Sequence, residues 1–328
     1  MVRVALLALP GCIASSLVGP YDVFSLAALP AVLAAGGLAE PHLQPVIVGL
    51  GTAPVASFNG LPVVVQATIA EPASYEIVFV PAMIADIEGV LADRAILSWL
   101  DRQAQAGACL SSACAGSFVL AATGRLDGRA ATTHWNLAGD FAARFPQVRL
   151  KPERLLIDEG DVVTAGGISA ALDLALYLVA RFVSPQSAAQ LAKILILDPG
   201  RRQQTPYQAT ALNRQHGDVA ILRVQDWLEE EPGRDCTIGG LAELAILGQR
   251  TFLRRFKKAT GHGPLEYQQR LRVALARKLL ETTAVAFEEI AARCGYGDAA
   301  SLRRLFKRHT GASPSQYRKR FSCLVPRR

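Results

Sequence analysis

Apolar residues follow two different rhythms along this chain. Through roughly the first two hundred positions they come in short unbroken blocks: Val2 to Leu9, His42 to Leu50 (HLQPVIVGL), Leu61 to Gln66 (LPVVVQ), Glu76 to Pro81 (EIVFVP) and Ala108 to Ser112. Blocks of this length, rich in Val, Ile and Leu, predict strands covered on both faces. Between them the apolar spacing lengthens to three and four. A helix is expected over Tyr21 to Gly36, opened by Gly19-Pro20 and bent or interrupted at Pro30, and another over Asp93 to Ala106 with Ile96, Leu97 and Leu100 on one side. Leu155 to Ala165 reads as a hairpin around Asp158 to Asp161, and helices follow over Ser169 to Phe182 and Pro185 to Leu197. Alternation of such strands with helices implies an α/β sandwich built on a parallel sheet.

The second rhythm belongs to a duplication. Thr251 to Arg270 reads TFLRRFKKATGHGPLEYQQR and Ser301 to Arg320 reads SLRRLFKRHTGASPSQYRKR, with Phe306, Gly311, Pro314, Tyr317 and Arg320 each 50 positions after Phe256, Gly261, Pro264, Tyr267 and Arg270. Each copy follows a short helical segment and a tight turn, LAELAILGQ in the first and IAARCGYGD in the second. Small Ala242 and Ala291 allow close helix approach, while Gly248 and Gly295 are expected to supply backbone freedom where the chain reverses. In the helix that follows, Phe252 and Phe256, like Leu302 and Phe306, share an inward face. Arg250, Arg254 and Lys257, or Arg303, Arg304 and Lys307, project outward. Gly261 then suits a helix stop and Pro264 the first turn of the next helix. There Leu271, Leu275 and Leu279 recur every fourth residue, so one rigid connector is expected to pack against both flanking units. Such a connector lets two recognition helices enter neighbouring major grooves, about 34 Å apart, from one side of B-DNA.

Charge separates the same two regions. After residue 200 there are 24 Lys and Arg against 12 Asp and Glu, a balance of +12, whereas the preceding residues carry −5. A polyanionic partner therefore fits only the C-terminal part. The six cysteines (Cys12, Cys109, Cys114, Cys236, Cys294 and Cys323) form no C-x-x-C pair and no His cluster, which argues against a zinc site or disulfide framework and for a reducing compartment. The opening MVRVALLALPGCIASS could imitate a lipoprotein leader. Its apolar run VALLAL is only six residues long and ends at Pro10, so a first buried strand is the expectation. No window holds the roughly 18 uninterrupted apolar residues of a membrane span.

One turn in the first region carries chemistry. In ACLSSACAGSFVLAATGRLDGRAATTHW, a strand runs into Cys114, whose neighbours Ala113, Ala115, Gly116 and Ser117 are all small, as a sharp strand-to-helix turn requires. A thiol at the start of a helix is expected to be favoured as thiolate by the helix dipole. His134, twenty positions on, and Trp135 beside it can reach the same crevice at the carboxyl ends of the strands. Three roles suit such a cysteine: lining an effector pocket, acting as a nucleophile, or serving as an oxidisable or inert thiol.

The segment His216 to Phe321 resembles the AraC/XylS DNA-binding domain, through the repeat and its ending GYGDAASLRRLFKRHTGASPSQYRKRF. Residues 3 to 183 resemble the ThiJ/PfpI-like domain of the class I glutamine amidotransferase-like fold, and in particular the GlxA/FtrA-like regulators, through VGPYDVF, the Cys114 turn, GRLDGRAATTHW and TAGGISAALDLAL. The resemblance implies a flavodoxin-like parallel-sheet sandwich over residues 1–198, a linker over 199–215, an all-α double helix-turn-helix domain over 216–322 and a tail over 323–328. It implies a DNA-binding transcription regulator in a cytoplasm, an activator that would also meet RNA polymerase, forming a homodimer and answering a small nitrogen-containing metabolite, with no cofactor and no metal. On this reading Ser16, Cys114, Ala115, His134 and Trp135 line the effector pocket, and Arg250, Thr251, Arg254, Lys257, Ala299, Ala300, Arg303, Arg304 and Lys307 meet double-stranded DNA. Two departures stand out. Leu253 occupies a position where the family often places a polar base reader. Ser16 stands where the family's enzymes carry an acid beside the cysteine, so turnover is not expected, and a cysteine-dependent hydrolase or a redox sensor remains the alternative.

Overall fold

Val4, Ala5, Leu6 and Leu7 have no exposed surface, as a block apolar on both faces requires of a central strand. They belong to β1 (Val2–Leu7), followed by α1 (Ala14–Leu26), α2 (Pro30–Gly36), β2 (Leu43–Gly49), β3 (Val55–Ala56), β4 (Pro62–Val63) and β5 (Ala67–Thr68). Next come β6 (Ile77–Val80), α3 (Ile87–Ala92), α4 (Arg94–Gln105), β7 (Cys109–Ala113), α5 (Gly116–Ala122) and β8 (Ala130–Ala131). The first unit closes with α6 (Ala138–Arg144), β9 (Arg149–Leu150), β10 (Leu156–Asp158), β11 (Val162–Ala165), α7 (Ala170–Phe182) and α8 (Pro185–Ile194). The computed structural model describes residues 1–208 and 212–322. Positions 209–211 of the expected linker and the expected tail 323–328, with Cys323, lie outside the described residues.

The chain divides into two units after Gln204. In the first, seven strands form one sheet in the order β10-β11-β7-β6-β1-β2-β5, parallel throughout except where β10 runs antiparallel to β11. This is the expected flavodoxin-like sandwich, with the continuous apolar blocks at its centre. Two expectations are corrected. The first helix begins at Ala14, not at Gly19-Pro20. A Cβ on Gly19 would stand 2.9 Å from Leu172 of α7, so this glycine allows helix packing rather than marking a helix start. Leu61 to Gln66 supplies only the two-residue β4, paired with β3 outside the main sheet, because Pro62 has no N–H to extend a ladder and Val64 is exposed.

The second unit is helical: α9 (Val219–Glu230), α10 (Ile238–Leu244), α11 (Gln249–Thr260), α12 (Pro264–Thr282), α13 (Phe287–Arg293), α14 (Ala299–Thr310) and α15 (Pro314–Phe321). Its apolar side chains make two separate clusters, one per repeat. The connector α12 gives Tyr267 and Leu271 to the first, and Val273, Ala276 and Leu280 to the second. Leu275 and Leu279 are only partly buried, because a step of four residues drifts about 40° around a helix with 3.6 residues per turn. The repeat extends to polar detail. The Tyr267 hydroxyl donates to Glu229 and that of Tyr317 to Glu281, each at 2.6 Å, while Phe256 meets Tyr267 edge-on as Phe306 meets Tyr317.

Candidate functional site

All five residues of β7 are buried, and the chain leaves it through Cys114 at φ 55°, a left-handed conformation that a non-glycine residue adopts at a cost. Neighbouring groups hold it there. The Cys114 amide donates to Ala165 at 2.8 Å, and its carbonyl accepts from the Ser117 hydroxyl at 2.9 Å and the Thr133 hydroxyl at 3.0 Å. The thiol is 5% exposed. Burial pushes its pKa up to about 11; the amides of Ala115 and Gly167, directed at the sulfur, oppose the shift without outweighing it. The expectation of a thiolate is therefore corrected: the helix dipole acts on a group that has lost its water.

The other expected pocket residues divide by what they do. His134 is half-buried, lies 5.2 Å from the Trp135 ring and accepts the Asn136 amide on Nδ1 at 3.2 Å. Burial lowers its pKa, leaving a neutral ring with its proton on Nε2. Among the described residues no hydrogen bond joins His134 to Cys114; the hydroxyl of the preceding Thr133 ties the two segments together. Ser16 is 1% exposed and lies in the first turn of α1 rather than in a loop. Its hydroxyl donates to Ile13 at 2.7 Å and accepts the Ala82 amide at 3.0 Å, so it fastens α1 to the end of β6. Ala115, fully buried, offers the site its amide. Sequence reasoning missed Thr133, Gly167 and Gln204, whose importance depends on contacts distant in the chain. A separate groove of about 510 Å³ runs along α7, α8 and β10, lined in part by Leu156, Tyr177, Ala188 and the Asp173–Arg201 ion pair, and includes no residue of the cysteine turn.

In the second unit α10 and α11, then α13 and α14, form two helix-turn-helix pairs. Ala242 and Ala291 are buried, each in the core cluster of its own repeat. Gly248 has an ordinary φ of −66°, which corrects its assigned role. The left-handed residue of the first turn is Ile246 at φ 56°, and that of the second is Gly295 at φ 76°. On α11, Phe252 and Phe256 are buried while Arg250, Arg254 and Lys257 are exposed and Thr251 is partly so; on α14, Leu302 and Phe306 are buried while Ala300, Arg303, Arg304 and Lys307 are exposed and Ala299 is partly so. Arg255 points elsewhere, pairing with Asp218 at 2.7 Å. Arg303 lies 3.6 Å from Glu288 and over the Phe287 ring, and Arg304 donates to Ser301 at 3.0 Å.

Comparison with known proteins matches residues 2–181 to the DJ-1/PfpI family. The chain belongs to the DJ-1/PfpI family. Residues 241–320 match a helix-turn-helix domain. The HTH-type transcriptional regulator CdhR of Pseudomonas aeruginosa is 29% identical over 267 residues, covering 81% of this chain and 78% of that protein. The regulator GlxA of Rhizobium meliloti is 29% identical over 287 residues, covering 86% of each. The crystal structure of Drosophila melanogaster DJ-1beta covers 60% of this chain and all of its own at a TM-score of 0.51 and 18% identity, a likeness of fold. A DJ-1/PfpI domain joined to an AraC-type helix-turn-helix domain makes this protein a DNA-binding transcription regulator with an effector domain. In this DJ-1/PfpI domain the turn bearing Cys114 holds the cysteine in a left-handed conformation, with two amides directed at a sulfur whose pKa burial raises.

Proposed function

We propose that the protein is an effector-controlled activator that works as a cytoplasmic homodimer and recruits RNA polymerase after binding DNA with both of its helix-turn-helix units. The observation that carries the reading is the outward basic row of α11 and its copy on α14, presented on two separately packed cores that share α12. That helix, 19 residues long, extends about 28 Å at 1.5 Å per residue, the scale of the roughly 34 Å between successive major grooves on one side of B-DNA. Arg250, Arg254, Arg303 and Arg304 read base edges, with Thr251, Ala299 and Ala300 beside them, and Lys257 and Lys307 meet phosphates. Purified full-length protein is expected to select particular genomic fragments over random duplex at moderate salt; equal retention of both would refute sequence-specific control.

In the N-terminal domain Cys114, Ala115, His134 and Trp135 contribute to a pocket for a small nitrogen-containing metabolite, which is bound without turnover. Three things support binding over catalysis: the thiol is protonated, the Ser16 hydroxyl is engaged in both directions by backbone, and His134 Nδ1 is occupied by Asn136. A ligand controls transcription only by favouring one of two conformations or assemblies. Metabolite response in a Cys114→Ala variant separates the readings: a response that survives excludes nucleophilic catalysis, and one lost together with a detectable covalent adduct on the native cysteine would establish it.

A further inference from the structure

Gln204 is the last residue of the first unit, comes from a polar stretch without periodicity, and is nevertheless 2% exposed. Its side chain is received by a ring of oxygens. Nε2 lies 2.8 Å from the carbonyl of Thr133, 3.0 Å from that of Arg154, 3.1 Å from that of Pro152 and 3.1 Å from the Thr132 hydroxyl. Oε1 accepts the Trp135 amide at 3.2 Å. A carboxamide nitrogen has two hydrogens, and four oxygens on one side, among which the Thr132 hydroxyl itself donates to Arg154 at 2.8 Å, with a donor on the other side, form a receptor for the CONH2 group. The walls are shaped for it as well: a Cβ on Gly166 would stand 1.9 Å from Nε2.

This receptor adjoins the cysteine turn on both sides. Thr133, whose carbonyl faces the Gln204 amide, donates its hydroxyl to Cys114, and Gly166, which makes room for Gln204, precedes Gly167, whose amide points at the Cys114 sulfur. The backbone around Gln204 is also fastened to the domain. Gln204 donates its amide to Glu153 at 2.9 Å, Leu155 donates to Arg202 at 3.0 Å, and Arg154 bridges antiparallel to Gln203. Thr205 already belongs to the helical unit, where the buried Arg277 of α12 holds the carbonyls of Thr205 and Gln208. Within the first unit the chain is thus held beside Cys114 up to Gln204, and within the second it is held from Thr205 by α12.

We propose that the oxygens around Gln204 form a binding site for primary carboxamides, which the chain fills with its own linker, and that a small carboxamide entering this site displaces Gln204 and releases the linker from the effector domain. The proposal gives that domain a means of signalling along the chain and rests on its reading as an effector domain. The test measures the linker and not DNA binding, so the two can fail separately. Trypsin can cut after Arg201 and Arg202 only when this segment leaves the surface. In full-length protein Gln204→Ala is expected to speed cleavage there about tenfold, the population shift expected from losing on the order of one net hydrogen bond. Propionamide, which carries the same amide on a short chain, is expected to raise the melting temperature of Gln204→Ala and to accelerate cleavage of the unmodified protein, while propionate does neither. Unchanged cleavage in a folded Gln204→Ala variant would overturn the latch. Equal effects of propionamide and propionate would overturn the carboxamide site. Should Gln204→Ala fail to fold, the unmodified protein decides alone: accelerated cleavage with propionamide only supports the proposal, and none at any concentration that leaves the fold intact overturns it.

Discussion

Ile246 and Gly295 occupy the same place in the two helix-turn-helix units, each the left-handed residue just after the first helix, 49 positions apart, whereas the recognition helices that follow start 50 apart at Gln249 and Ala299. The second turn is therefore one residue longer. A β-branched residue pays for φ 56° with about 1 to 2 kcal/mol, and Ile246 is 79% exposed, so little burial offsets it. Ile246→Gly is expected to stabilise the isolated C-terminal domain by about 0.5 to 1 kcal/mol after the greater entropy of an unfolded glycine is counted. Gly295→Ala, whose Cβ would stand 2.1 Å from the Gly233 carbonyl, is expected to destabilise it by about 2 kcal/mol or more. Urea midpoints at constant slope measure both; equal effects at the two positions would contradict the turn geometry.

Alkylation of Cys114 reports its protonation. With the thiol raised to about 11 by burial, its reaction with iodoacetamide is expected to climb about tenfold per pH unit beyond pH 9, because only the thiolate reacts. A plateau reached near pH 7, followed by mass spectrometry of the Cys114 peptide, would restore the thiolate reading. Stability follows the same cause. Cys109 is likewise raised to about 11 by burial, so the folded domain holds both protons to higher pH than the unfolded chain does. The stabilisation is complete below pH 9 and is lost as pH rises toward 11, which denaturation midpoints across that window will measure.

Arg254 and Lys257 lie one helical turn apart on the exposed face of α11 and are expected to fail differently. Arg254→Ala should relax preference at one base position, at about 1 to 3 kcal/mol, whereas Lys257→Ala should weaken all sequences alike and reduce the salt slope by about one. Binding measured against a set of single-base operator variants at two salt concentrations distinguishes these. A uniform loss for Arg254→Ala would remove it from base reading.

Gly166→Ala puts a methyl group where the Gln204 amide sits. The variant should lose about 1 to 3 kcal/mol, because several buried carbonyls then lose their donor. In a Gln204→Ala background the same change should cost little, since the space is already empty. A double-mutant cycle reads this coupling, and strictly additive effects would mean the two residues do not share the site.

How far the residues alone reveal this protein varies with the range of the interaction involved. The parallel sheet and the duplicated helix-turn-helix module were legible because each rests on local periodicity: unbroken apolar blocks, an inward row every third or fourth residue, and one repeated spacing; the order of the strands was not. The cysteine turn was legible as a turn for the same reason, its small residues standing in sequence. The helix start near Gly19-Pro20 was misjudged because a glycine serves close packing as readily as a turn, and only its neighbour in space, Leu172, distinguishes the two; Gly248 was misjudged because Ile246 takes the left-handed place and leaves the glycine as the N-cap of α11, with open space around it.

What the sequence by itself determined is therefore two regions of different fold class and the basic row carried by each repeat, all consequences of patterns within one element or between two related copies. The tertiary structure alone decided the state of Cys114 and the place of Gln204. A thiol's proton depends on how much water the fold removes from it, and a glutamine becomes part of a site only when oxygens from residues 132–133 and 152–154 meet around it, some fifty to seventy positions away in the chain.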